Sequence, residues 1–223
     1  MTIATRSTTQ LKLAINFPLS AQNRGRLSFE AYPITFDNDY YFALNQSRPV
    51  TVIELTEKPA ERYVANVFGN QSLFDYKQYT VRNVDYNALN SADLIVLNQL
   101  TNIPATLLDA ITSARTLGTD IMLFPAIEGS VETYQTITGR ALYQSTITEQ
   151  LSFAPIKSGT PFFDRMFDTE ELSFTMPQGQ PALTWQGGTP LLRIITGGPE
   201  LTHYEEGSDI YLWSVPLSKD YAN

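Results

Sequence analysis

The stretch Asp93-Leu94-Ile95-Val96-Leu97-Asn98 is apolar at four consecutive positions. A strand with one wet face alternates in polarity. A strand apolar on successive residues has both faces covered, as in a parallel sheet flanked by helices. Ile121-Met122-Leu123-Phe124-Pro125 repeats this condition, and Val50-Thr51-Val52-Ile53-Glu54-Leu55 reads as a third buried strand. Lys77 to Val81 reads as a fourth. Helical patterns lie between these runs. Pro104 opens a helix to about Leu117, with Leu107, Leu108, Ile111 and Leu117 as its apolar stripe and Gly118 as its stop. Thr56 as cap, Pro59 in the first turn and Gly69 past the end frame another, with Tyr63, Val64, Val67 and Phe68 on one face. Tyr86 to Asn90 forms a helical turn, and Ser130 to Ile137 a capped helix stopped by Gly139. Alternating strands and helices predict right-handed βαβ units: an α/β fold with a doubly wound, mainly parallel sheet.

The two ends read differently. Leu11, Leu13, Ile15 and Phe17 alternate with polar or small residues, and Leu27, Phe29 and Ala31 do so again. The polar run Ser20 to Gly25 between them predicts a β-hairpin turn. Near the other end, Thr160-Pro161 opens a short helix carrying Phe162, Phe163, Met166 and Phe167. Runs at Leu172–Met176, Leu191–Thr196 and Ile210–Val215, punctuated by Gly187-Gly188 and Gly197-Gly198-Pro199, predict an antiparallel extension. The weakest join lies at Asn45 to Pro49, which divides a β flank at 1–48 from an α/β body at 49–223.

Charge and residue types exclude several functions. The net charge is −8, and Lys and Arg are scattered singly rather than clustered. Phosphate neutralisation needs clusters, so neither nucleic acid nor an anionic membrane is an expected partner. The chain holds no cysteine and one histidine, His203, so thiol nucleophiles and zinc, copper or non-haem iron ligand sets are not expected. Asp37-Asn38-Asp39 starts like a calcium loop, but the sixth and twelfth positions hold Phe42 and Arg48 rather than Gly and Glu. It reads as a turn. No Gly-rich nucleotide loop follows a strand, so no cofactor is expected. The tyrosines and phenylalanines of Tyr32–Phe42 read as core packing rather than a partner patch. No apolar run approaches the roughly 20 residues of a membrane span.

In open α/β sheets, ligands bind beyond the carboxyl ends of the parallel strands. That rule selects Asn98 and Gln99, and then Glu128, Gly129 and Ser130, as candidate binding residues. The helix starting near Ser130 would turn its amide-rich end to the same edge. The plainer reading of Asn98 and Ser130 is that they cap turns and helices. His203 lies among Glu200, Glu205 and Glu206, and reads as a surface histidine in an acidic patch. No Gly-x-Ser-x-Gly elbow is present, and no catalytic residue is assigned.

Residues Leu27 to Leu44, Val67-Phe68-Gly69-Asn70, Asp93 to Asn98 with Ile103-Pro104, and Val215 to Asn223 resemble, in order, the extracytoplasmic region of BatA-like aerotolerance proteins of Bacteroidetes. The resemblance implies a membrane-anchored parent with an N-terminal transmembrane pair. It also implies a domain similar to class I glutamine amidotransferases, with this chain an internal piece. The amidotransferase elbow would fall near Ile127 or Glu128, without the cysteine it requires. The expected function is a non-catalytic, periplasmic interaction or scaffold module with protein partners. Two alternatives remain open: a small-molecule site in the strand-end crevice, and a hydrolase using a carboxylate base such as Glu128.

Overall fold

The computed structural model describes residues 23–28, 38–44, 48–156, 162–163 and 176–221. The chain divides into two compact units, Met1–Arg48 and Pro49–Asn223.

In the first unit, β1 (Asn23–Ser28) pairs antiparallel with β2 (Asp39–Leu44), Asn23 opposite Leu44 and Ser28 opposite Asp39. Asn23, Arg24 and Gly25 therefore belong to a strand and not to a turn. Gly25 serves packing: a Cβ there would run into the ring of Phe42, its cross-strand partner. Asp39 likewise lies in β2, where Arg26 grips its carboxylate from Nε at 2.9 Å and Nη2 at 2.8 Å. Those bonds, with one from Ser28 Oγ, hold the Asp39 pKa below its ordinary value. Tyr40 and Tyr41 are exposed, against the expectation of core packing. The runs at 11–17 and 29–37 lie outside the described residues, as do Thr160-Pro161, Met166-Phe167 and Leu172–Thr175.

The second unit begins with β3 (Val50–Thr56), α1 (Tyr63–Val67), β4 (Phe74–Thr80) and α2 (Tyr86–Asn90). It continues through β5 (Leu94–Asn98), α3 (Ala105–Thr116), β6 (Asp120–Phe124) and α4 (Val131–Thr138). Short strands follow: β7 (Leu142–Gln144), β8 (Leu151–Ser152), β9 (Gln178–Gly179) and β10 (Leu183–Trp185). The last three are β11 (Thr189–Arg193), β12 (Pro199–Glu206) and β13 (Ser208–Trp213). The main sheet has seven strands in the order β11-β12-β13-β6-β5-β3-β4. β4, β3, β5, β6 and β13 run parallel, and β12 and β11 add antiparallel at one edge. In order of appearance the parallel strands read 2-1-3-4-5, the flavodoxin-like winding.

That winding decides the two faces. A right-handed crossover that reverses direction changes face. Accordingly α2, α3 and α4 lie on one face, where Leu89, Leu107, Ile111, Tyr134 and Ile137 pack on Ile53, Leu55, Ile95, Leu97, Ile121 and Leu123. The other face carries α1, whose Val64 packs on Val52, Val96 and Phe124. β13 is reached through the β11–β12 hairpin instead of a crossover helix. Among the described residues, α1 is therefore the one helix on its face.

Several boundaries differ from expectation. α1 begins at Tyr63 with Arg62 as N-cap, so Pro59 is not in its first turn. Thr56 ends β3, and its hydroxyl accepts from Lys58 N at 3.0 Å instead of capping a helix. The α3 stripe runs Leu107, Ile111, Ala114 and stops there, leaving Leu117 at the C-cap 77% exposed. α4 matches its reading, with Ser130 as N-cap and Gly139 left-handed at φ 66°. β12 falls on a stretch that was not marked as a strand run, because no apolar alternation runs through Pro199 to Glu206.

Candidate functional site

The order of the sheet reverses between β3 and β5, so the crevice beyond their carboxyl ends is the geometric site for a ligand. Here side chains bridge its walls. Glu57 accepts from Thr101 N at 2.9 Å, Thr101 Oγ1 at 2.8 Å and Asn102 N at 3.2 Å, tying the two strand-end loops together. Gln99 is buried, with φ at 53°, a conformation that side chains other than glycine's rarely adopt. Its Nε2 donates to Leu217 O at 2.7 Å.

Asn98 does not cap a turn. Its Nδ2 donates at 2.7 Å to Glu54 Oε1, and both residues are almost wholly buried. Glu54 Oε2 accepts from Tyr76 OH and from Gln78 Nε2, the latter at 3.0 Å. β3, β4 and β5 thus each contribute to one satisfied polar cluster. Burial and the Glu54 hydroxyl contact raise the Tyr76 pKa. Sequence reasoning passed over Glu54; the available signal was an acid inside an otherwise apolar strand.

Of the residues after β6, Glu128 is exposed, while Ser130 accepts from Thr133 N at 3.2 Å as the helix cap. Gly129 is buried, and a Cβ there would strike the Tyr134 side chain. Tyr134 OH donates to Leu100 O at 2.6 Å and accepts from Ala126 N at 3.0 Å, so one hydroxyl joins the loops after β5 and β6. Burial pushes its pKa up to about 12. Tyr134→Phe is expected to destabilise the chain by about 1–3 kcal/mol by orphaning these buried groups, measured by urea denaturation with unchanged slope. The elbow position at Ile127 or Glu128 lacks strained geometry: Gln99 is the one non-glycine with positive φ among the described residues.

His203 sits at the opposite edge. Its Nε2 is 3.2 Å from Asp209 Oδ1, and its ring stacks on Tyr211 at 4.9 Å. Asp209 N donates at 2.8 Å to Asp120 Oδ1 at the start of β6. Burial, more than the nearby Asp209, raises the Asp120 pKa. His203 is half-buried rather than freely exposed. It lines a hollow of about 520 Å³ with Thr189, its cross-strand partner, but among the described residues no hydrogen bond joins that hydroxyl to the ring. Through Tyr211, His203 is in register with Met122 in the middle of β6, whereas Glu128 lies in the loop beyond the end of that strand. No group of three His, Asp or Glu among the described residues could hold a metal ion.

A different cavity lies on the α1 face. A groove of about 640 Å³ runs between α1 and the sheet, lined by Val64, Val67, Met122, Phe124, Trp213 and Leu217, among others. Phe124 and Trp213 stack at 5.3 Å and form its floor. Parallel strands need both faces covered, and among the described residues the five-residue α1 is the one helix on this face. Asn98, Gln99, Glu128, Gly129 and Ser130 do not line it.

No protein family model and no curated protein matches the chain. Solved structures similar to it include a glutamine amidotransferase from Thermotoga maritima, at 12% identity over 74% of this chain and 75% of that one, with a TM-score of 0.47. A glutamine amidotransferase from Methylobacillus flagellatus shares 10% identity over 73% and 68%, with a TM-score of 0.48. An alpha-L-fucosidase isoenzyme 2 from Paenibacillus thiaminolyticus shares 15% identity over 74% of this chain and 29% of that one, with a TM-score of 0.46.

Proposed function

We propose that this chain is a non-catalytic interaction module that receives a protein partner in the groove on the α1 face. One observation carries the reading: the apolar groove on that face, while the chain's own side chains hydrogen-bond one another across the strand-end crevice. Contiguous exposed apolar surface of this kind is characteristic of partner sites. The reading leaves the crevice residues Asn98 and Gln99 with structural roles and Glu128 with none in binding.

The motifs that resemble those of BatA-like proteins are the support for placing the module in the extracytoplasmic region of a membrane-anchored parent. No helix among the described residues is long and apolar enough to cross a membrane. Accessibility of an engineered cysteine at Leu117 to a membrane-impermeant thiol reagent, in cells making the full-length protein, tests that placement.

Val67 is 71% exposed on the groove rim, so Val67→Glu is expected to change stability by less than about 0.5 kcal/mol. It is also expected to abolish photo-crosslinking of the full-length protein to its partner from a probe at Phe68. Glu128→Gln and His203→Ala are expected to retain both crosslinking and complementation. Loss of function in either of those two, at unchanged melting temperature, would overturn the non-catalytic reading.

A further inference from the structure

β4 ends the seven-strand sheet, so one side of it has no neighbouring strand among the described residues. One bond fixes which peptide groups point that way. Val50, in register with Phe74, donates from N to Leu73 O at 2.8 Å. In a parallel ladder every second residue bonds the neighbouring strand. Asp75, Lys77 and Tyr79 therefore turn their N–H and C=O groups to β3, and Phe74, Tyr76, Gln78 and Thr80 turn theirs outward. Turns take the two ends: Phe74 N donates to Asn70 O at 2.9 Å, and Thr80 O accepts from Asn83 N at 2.9 Å. Among the described residues nothing bonds the backbone of Tyr76 or Gln78 on that side. An open strand edge is a template for pairing with another chain.

The charges along this edge select the partner. Asp75 and Lys77 stand on one face of β4, with Lys77 Nζ 3.3 Å from Asp75 Oδ2 and both side chains about half exposed. Edge lysines commonly discourage pairing. Here an acid two residues away reverses that effect for a copy of the same strand. With a two-fold axis at Tyr76 and the strands antiparallel, Asp75 of each copy falls opposite Lys77 of the other. An axis at Asp75 or at Lys77 would set like charges opposite each other. The Tyr76 register also makes the outward groups of Tyr76 a reciprocal hydrogen-bonded pair and sets Gln78 N–H against the outward C=O of Phe74. The charged residues then occupy the alternate positions, where opposed side chains come closest. We propose that β4 is a self-pairing edge: two copies of this chain join β4 to β4 antiparallel about Tyr76, held in register by reciprocal Asp75–Lys77 ion pairs.

The flank of the strand leaves room for the second copy. A hollow of about 410 Å³ lined by Arg62, Phe68, Phe74, Asp75 and Tyr76 lies beside it. The same patch serves both copies, so the contact closes at two chains and does not propagate. Two short edges make a small interface, and the association is weak and concentration-dependent. No residue of β4 lines the groove on the α1 face, so the pairing does not rest on the groove reading.

Sedimentation equilibrium of the full chain, in a concentration series up to about 1 mM, reads the association. The parent is expected to pass from monomer to dimer. Asp75→Lys and Lys77→Asp, each alone, set like charges at both pairs and are expected to weaken dimerisation about tenfold. An equimolar mixture of these two variants sets opposite charges at both pairs again, and is expected to dimerise as the parent does. A chain carrying both changes is expected to do the same. Val67→Glu, on the groove rim, is expected to leave dimerisation unchanged, which keeps this test apart from that of the groove. A parent that stays monomeric throughout the series overturns the proposal. Unaltered dimerisation in either single variant overturns β4 as the paired surface. Weakened single variants with no recovery in the mixture or in the double variant overturn the Tyr76 register.

Discussion

Glu200→Gln is expected to gain about 3 kcal/mol of stability relative to the parent between pH 4.5 and pH 8. Glu200 is fully buried, and its carboxyl titrates near 7 against an ordinary value of 4.5. The sign follows from proton binding. Between those two values the folded chain holds a proton that the unfolded chain has released, so the parent loses stability as pH rises through this window. Above about 7 both states are ionised and the loss is complete. Below 4.5 both are protonated, and no penalty remains. Glutamine does not ionise, so the variant lacks this loss. At roughly 2–4 °C per kcal/mol for a chain of this size, the variant's melting temperature rises relative to the parent's by roughly 6–12 °C across the window. Paired thermal melts at pH 4.5, 6 and 8 measure it. A constant offset between the two proteins would show that Glu200 ionises as freely in the fold as outside it.

Asn98→Asp is expected to be the most damaging single change in the strand-end cluster, at about 3–5 kcal/mol. The native amide donates to Glu54 Oε1 at 2.7 Å inside the sheet. Aspartate replaces that donor with a second carboxyl, and two carboxylates at this distance cannot both ionise. One must keep a proton, so the loss grows with pH and is smaller at pH 5 than at pH 8. Asn98→Ala removes the donor without adding charge, and its expected cost is about 1.5–3 kcal/mol with little pH dependence. Urea denaturation of both variants at the two pH values separates lost hydrogen bonding from added charge. Equal costs for the two variants would mean that water reaches Glu54.

Both groups were only partly legible in the sequence. Asn98 is marked by its place at the end of a buried strand, but its bond to Glu54 is not legible, because that partner is 44 residues away. Nothing local distinguishes a capping asparagine from one that donates across a sheet. Glu200 sat among other acids after two glycines and a proline, a context that reads as surface. Its burial depends on β11 and β13 closing over β12, and those pairings are tertiary.

The residues themselves determined the strand and helix sequence of the second unit. Consecutive apolar positions at Leu94–Leu97 and Ile121–Phe124 demand cover on both faces, and Ser130 with Gly139 bounds α4 by local backbone chemistry. The tertiary structure alone decided where the groove lies. Chain reversal after β4 puts α1 on one face and α2, α3 and α4 on the other, and among the described residues the hairpin route into β13 adds no further helix to the α1 face. Side-chain periodicity reports that a face is buried, but it does not say by what. Only the path of the chain through space leaves Met122, Phe124 and Trp213 lining a groove.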